Sequence, residues 1–374
     1  MTDPERLLTP TTKPETSSYA AVNQTDLFQK HWFCVGLFPS GKTFKQDAES
    51  PLPFLEIMNR SVIAWVDYIT DDPDKDIAIV AAQMGFSEPF IASLQGDNQI
   101  PYQDFDTELW MRFPSIQIRG TDVNAYPLYI LMRKNFVFTI HISMVDKRFI
   151  RLRRYSDTIL KKIPIDGLPE DKLIMLMTRI IDANNDSNVR HLRVIEAQGD
   201  DLNAMMMDPK TDRMLIGPKI YELKHALIVY MNALWESVDV LHALRYGDAE
   251  LISNNEQELV KISVMVDEMK SQIDLAEHMS DVLASGLEVM QSIYNNQLQV
   301  ANNKLAMVVA YLTILGTAIL IPNTLATILG NAAFDMVPSD LQWYIPLMVF
   351  GTVIGVLGSW WWVKKVGLLP KRPD

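Results

Sequence analysis

"ILIPNTLATILGNAAFDM", residues 319–336, is the stretch on which the architecture turns. It opens as apolar chain, carries one proline and two threonines, and runs out at Gly330-Asn331-Ala332 before the first acid, Asp335. Upstream, residues 305–329 contain no charge. At ~1.5 Å per residue, about 25 residues exceed the ~30 Å hydrocarbon core of a bilayer. Downstream, residues 344–363 are again uncharged. Core helices of soluble proteins are rarely so long and so free of charge, so both segments read as transmembrane helices.

The flanks give an orientation. Lys304 precedes the first span, and Lys364, Lys365, Lys371 and Arg372 follow the second, while the loop between carries Asp335 and Asp340 and no cation. The positive-inside rule then puts both ends in the cytoplasm and the loop outside. Trp360, Trp361 and Trp362 stand where an interfacial belt is expected, as do Trp343 and Tyr344 at the outer end.

Two spans enclose no ion path alone, so a pore requires several copies of the chain. Thr313, Thr317, Thr324, Thr327 and Asn331 recur at intervals of four, seven, three and four. On a helix wheel they fall within about 80° of one another. Leu320 shares that face and is placed for a hydrophobic constriction. Asn303 and Asn296 extend it inward with a looser angular match. Hydroxyls and amides can hold a cation's water shell without fixed charge. The alternative is that each threonine bonds the carbonyl four residues back and faces lipid or a neighbouring helix. Asp335 and Asp340 either are solvated loop charge or raise the local cation concentration. Gly351 and Gly355 form a G-x-x-x-G pair suited to close helix contact, which would pack the second helix outside the first.

The rest of the chain is bounded by composition. It has 374 residues, 48% of them hydrophobic, a net charge of −12 and one cysteine. The acidic balance argues against a nucleic-acid binder, and Cys34 alone excludes an internal disulfide. "MTDPERLLTPTTKPETSS" has early acid, three prolines and no apolar run, so residues 1–25 are expected to form a disordered arm without a signal peptide. With no nucleotide loop, no nucleophile elbow and six scattered histidines, no enzymatic activity is expected.

Residues 26–160 read as an α/β domain. "SVIAWVDYI" and "YPLYILMRKNFVFTIHIS" have strand composition. "DPDKDIAIVAAQMG" is a helix with acid in its first turn and Gly85 at its end. "TELWMRFPSIQI" is a strand in which Pro114 suggests a bulge or an edge. Residues 161–304 read as a helical stalk, with apolar positions at three-to-four spacing through 170–206 and 217–248. A third run, from about Asn255, meets no proline before Pro322 and so continues into the first span. A helix this long needs a partner along its length. Met265, Met269 and Met279 read as packing residues. Asp274, His278 and Asp281, at i, i+4 and i+7, share one face, with Asp267 a heptad before Asp274. That face is either solvated or a regulatory metal site.

The order of these parts resembles the CorA-type divalent-cation transporters, the two-span "GxN" superfamily. "AWVDYI" is similar to the family's W-[IV]-D strand. "YPLYILMRKNFVFTIHIS", with Asn135, Phe136, Thr139 and His141, is similar to its N-F-x-x-T-x-H strand pair. "ALIVYMNALWESVDVLHAL" resembles a family helix whose usual arginines are missing here. "LTILGTAILIPNTLATILGN" and "FDMVPSDLQWYIP" resemble the first span and the outer loop. The match covers nearly all of the chain after the arm. In the family the first span ends in Gly-Met-Asn, which caps the pore helix and offers a ring of amides to a hydrated cation. Aligned from Pro322, this chain has Gly330-Asn331-Ala332, so its amide stands one residue early, about 100° round a helix. "SDVLASGL" resembles the family stretch that would place Asp281 in an intersubunit acidic cluster binding the transported ion. The partner stretch reads Phe90-Ile91-Ala92, without its acid.

The resemblance implies an α+β cytoplasmic domain, a long helical stalk and a C-terminal two-helix transmembrane hairpin, assembled as a funnel-shaped homopentamer in the inner membrane. Residues 305–330 would line the pore, 331–343 form the outer loop, 344–363 the second span and 364–374 a basic cytoplasmic tail. A hydrated divalent cation would be both substrate and candidate regulator, at Asp274, His278 and Asp281, with no other cofactor. Magnesium usually keeps several waters, which suits a span without acid. The thiol-free, histidine-poor pore is a poor tight ligand for zinc, though not for hydrated zinc, cobalt or nickel. The rival is a non-transporting or regulatory relative that kept the fold after losing the signature.

Overall fold

The computed structural model describes residues 31–95, 101–208, 211, 215–247, 249–330 and 337–365. The chain forms two compact units, Met1–Leu283 and Ala284–Asp374. The change from strand-rich to helical texture near residue 160 falls inside the first.

In the first unit the order is β1 (His31–Leu37), β2 (Thr43–Ala48), α1 (Leu52–Arg60), β3 (Ile63–Thr70), α2 (Pro73–Gln83), α3 (Glu88–Leu94), β4 (Tyr102–Asp104), β5 (Glu108–Arg119), β6 (Asp122–Arg133) and β7 (Phe136–Ile142). Helices follow: α4 (Lys147–Arg154), α5 (Ser156–Leu160), α6 (Pro169–Asn185), α7 (Asn188–Met207), α8 (Ile216–Tyr246) and α9 (Glu256–Leu329). The strands make one sheet, β2-β1-β3-β7-β6-β5-β4. β3 and β7 run parallel at its centre, from Ala64↔Phe136 to Thr70↔Ile142. Both faces of β3 are buried, which is why its sequence is a near-continuous apolar run. On one face, Cys34, Val66, Phe138 and Leu131 pack with Phe54 of α1, Ile77 and Ala81 of α2, and Phe90 of α3.

α2 forms as its sequence suggests. Asp72 accepts from the Lys75 amide at 3.3 Å, Pro73 starts the helix, and Asp74 and Asp76 stand in its first turn, where the helix dipole favours acid. Gly85 turns the chain away at φ +80, a conformation costly for other residues.

Pro114 makes no bulge, because the β5–β6 register runs unbroken from Glu108↔Arg133 to Arg119↔Asp122. It faces Pro127 across that pair. β4 pairs with β5 only as far as Met111, and β7 with β6 only as far as Leu128. Each proline therefore stands just past the end of an outer neighbour, where a missing N–H costs no ladder bond.

The apolar run of residues 170–206 is two helices, α6 and α7, parted at Asp186-Ser187. Asn, Asp and Ser side chains compete with helical backbone bonds, and Asn184 is drawn to β5, donating to the Pro114 carbonyl at 3.0 Å. The first half of α9 finds its partner in α8. Leu259, Ile262, Val266, Met269, Ile273 and Ala276 are buried along it, and the Tyr230 hydroxyl donates to Gln272 Oε1 at 2.9 Å. Met265 and Met269 are packed in this core.

The second unit holds the end of α9 and α10 (Leu341–Lys365). Both helices are long and apolar enough to cross a membrane. They meet at the glycine pair: a methyl group at 355 would stand 2.3 Å from Ile321 Cδ1, and one at 351 would stand 3.0 Å from Leu325 Cδ1.

Candidate functional site

The C-terminal part of α9 turns its threonines in two ways. Each hydroxyl donates to the carbonyl four residues back: Thr313 to Val309, Thr317 to Thr313, Thr324 to Leu320 and Thr327 to Asn323, all at 2.8 Å. A hydroxyl that donates inward keeps its acceptor lone pairs for a neighbour. Thr313, Leu320, Thr324 and Thr327 are exposed in the single chain, and so is Asn303. Thr317 is half-buried, its oxygen 2.5 Å from Ser359 Oγ of α10. It sits at the border between the stripe and the α10 contact, so the second helix takes up its free valence.

α9 ends at Leu329, and the Gly330 amide donates to the Ala326 carbonyl at 2.8 Å. Asn331, Ala332 and Asp335 lie outside the described residues. Asp340 closes the turn before α10: it accepts from the Val337 amide at 2.9 Å and from Trp343 Nε1 at 3.3 Å. This carboxylate is thus tied into the local fold as well as facing solvent.

Asp274, His278 and Asp281 are exposed, on the side of α9 away from its buried stripe. Among the described residues no group of three or more histidine, cysteine, aspartate or glutamate side chains is arranged to hold a metal ion within the chain.

The strands that carried the resemblance hold a buried polar network on the sheet face opposite α1. Trp65 Nε1 donates to Thr139 Oγ1 at 3.0 Å, and Thr139 donates to Asp67 Oδ1 at 2.5 Å. His141 Nε2 lies 3.2 Å from the same oxygen. Arg153 of α4 donates to Asp67 Oδ2 at 2.6 Å and also reaches Asp146. Burial would push the Asp67 carboxyl up, but His141, Arg153 and Thr139 outweigh it and hold it at about 2. Sequence reasoning found Asp67, Thr139 and His141 as motif letters and missed Arg153. The cation-rich run "KRFIRLRR" of α4 was the available signal. The network braces the strands and offers no open coordination site.

The sequence model of the family described as "CorA-like Mg2+ transporter protein" matches residues 60–365. No curated protein matches the chain. The complete CorA magnesium transporter of Methanocaldococcus jannaschii superposes with a TM-score of 0.64 at 18% identity, over 90% of this chain and 98% of that one. The full-length CmaX protein gives 0.59 at 13% identity, over 90% and 98%. The ZntB cytoplasmic domain of Vibrio parahaemolyticus RIMD 2210633 gives 0.51 at 13% identity, over 71% and 98%. At these identities the likeness shows the fold, a mixed-sheet domain with a long helix and two C-terminal apolar helices, while the family match spans most of the sequence. The chain belongs to the CorA-like Mg2+ transporter family.

Proposed function

We propose that the chain carries a divalent metal cation, magnesium first with zinc, cobalt or nickel as alternatives, through a pore built from several copies of α9. The observation that carries this reading is that Thr313, Thr324 and Thr327 are exposed on one face of α9; their hydroxyls bond the carbonyl four residues back, as in the alternative reading, and keep acceptor lone pairs for a water shell. A hydrated cation presents water hydrogens, and such oxygens accept them. The span carries no acid, so it offers passage with water retained rather than tight coordination.

Val308, Val309, Leu312, Leu315, Ile319 and Ile328 are also exposed in the single chain. An apolar surface of that extent calls for cover by lipid and by further copies. Five copies, an inner-membrane location and cytoplasmic termini belong to the same proposal. The family membership and the likeness to a magnesium transporter and to a ZntB domain support the substrate class. Asp274, His278 and Asp281 would then be a weak sensor between copies, since the partner stretch at Phe90-Ile91-Ala92 has no acid.

A second reading, a relative that no longer transports, is favoured by Asn331-Ala332 in place of the family's Met-Asn. Purified protein in liposomes enclosing a magnesium- or zinc-sensitive dye separates the two. Saturable uptake that requires the protein supports transport. Liposomes tight to magnesium, zinc, cobalt and nickel, with the protein correctly inserted, would leave the second reading.

A further inference from the structure

A cleft of about 1320 Å3 opens in the first unit between the end of β5, α4, α5, α6 and the start of α7. Seven lysine and arginine side chains line it, against two aspartates, in a chain whose net charge is −12. One of the aspartates, Asp186, is 4.0 Å from Arg190. Arg151, Lys162 and Arg179 are exposed to the cleft and make no ion pair among the described residues. A concave surface lined by one sign of charge focuses its field on a counter-ion.

The floor is built from groups that lack a carboxylate. The Arg148 guanidinium donates to the Asn184 carbonyl at 2.8 Å, to Asn184 Oδ1 at 3.3 Å and to the Ile116 carbonyl. Burial, and then Arg190, lowers its pKa to about 10. His191 Nδ1 is buried with no hydrogen-bond partner. Burial, followed by Arg148 and Arg190, lowers that ring to about 4. Arg148 is desolvated and repelled by Arg190, and the neutral His191 ring has a buried nitrogen without a partner; an anion relieves the repulsion and can take a hydrogen bond from the ring.

Size and lining narrow the anion. Small-molecule sites typically enclose roughly 300–1,000 Å3, so this cleft exceeds what one phosphate fills. Its cations spread along the wall, and apolar groups stand among them: Met144, Ile159, Val194 and the ring of Tyr155. Tyr155 is 54% exposed. Guanidinium groups take phosphate in bidentate fashion, and an open aromatic ring stacks on a base.

We propose that the cleft binds a nucleoside polyphosphate, with its phosphates on Arg148, Arg151, Lys162 and Arg179 and its base against Tyr155 and Met144. The site does not depend on the transport reading. The test is calorimetric titration of the full-length protein in detergent with ADP and with sodium pyrophosphate, both in the presence of chelator so that no metal contributes. ADP is expected to bind once per chain with a Kd below about 100 µM, and pyrophosphate about 10-fold more weakly. Arg151→Glu combined with Lys162→Glu, at two exposed positions, should weaken ADP by about 10-fold or more with thermal unfolding unchanged. Tyr155→Ala should weaken ADP and leave pyrophosphate unaffected. ADP binding that survives the charge reversal would place the ligand elsewhere and overturn the site. Pyrophosphate binding as tightly as ADP would overturn the nucleotide assignment, and absence of ADP binding at millimolar concentration would overturn the proposal.

Discussion

Gly355 of α10 lies against Ile321 of α9 with no room for a side chain: a methyl group there would stand 2.3 Å from Ile321 Cδ1 and 3.4 Å from Cγ1. Helices in a membrane gain little from excluding lipid and depend on such close packing. Gly355→Val should therefore destabilise the hairpin by about 1–3 kcal/mol, the range for overpacking. Ile321→Ala in the same chain should restore most of the loss. Thermal unfolding of the two variants in one detergent is the measurement, and a failure of rescue would show that the contact is not the cause.

The two faces of α9 should respond differently. Thr324 is exposed on the stripe, whereas Leu325 is turned towards Gly351. Thr324→Val removes an acceptor oxygen of the proposed path and is expected to change ion flux or selectivity. Leu325→Val, one residue on, should leave flux alone and cost at most about 1.5 kcal/mol of stability. Equal effects on dye-reported uptake would remove the pore-face assignment.

Thr317 tests the same stripe from its border. Its oxygen meets Ser359 at 2.5 Å, so Thr317→Val and Ser359→Ala should each lower hairpin stability by about 0.5–1.5 kcal/mol. The double variant should lose less than the sum of the two, the mark of a shared bond. Additive losses would mean that the two hydroxyls do not depend on each other.

Restoring the family tripeptide is a sharper question. Asn331→Met with Ala332→Asn rebuilds Gly-Met-Asn after Leu329. If a ring of amides at the third position receives the ion, the double variant should gain magnesium uptake or change its metal preference by about 10-fold, equivalent to about 1.4 kcal/mol of barrier or binding. An unchanged profile in liposomes would show that this mouth no longer selects.

Asp67 predicts an acid limit for the first unit. Its folded pKa, about 2, lies below the ordinary 3.8. The unfolded chain therefore binds the proton more readily, and the carboxylate's stabilisation is complete above about pH 4 and lost as pH falls towards 2. Asp67→Asn should flatten that part of the stability profile. It should also destabilise the chain at neutral pH, by less than the about 3–5 kcal/mol of a fully unpaired buried charge, because Arg153 keeps Asp146. Denaturant unfolding of the full chain from pH 2 to 7 reads both effects.

What the chain shows on inspection follows from constraints that act along one dimension. A bilayer demands length and freedom from charge, so the two apolar helices were legible. α9 was legible as one helix because no proline interrupts it before Pro322. Gly85 and the acidic first turn of α2 announced that helix for the same local reason. Other features depend on residues far apart in sequence. Asp67 and His141 are 74 positions apart and meet only because β3 and β7 pair in parallel. Arg153 completes that site from a helix whose cationic run signals a need for acid but does not say which acid it will find. Periodicity joined α6 to α7, since the break at Asp186-Ser187 is made by Asn184 binding the edge of β5. The threonines of α9 look alike on a helix wheel, yet α10 lies against Thr317 and leaves Thr324 open. Spacing sets which side chains share a face, and packing sets what that face meets.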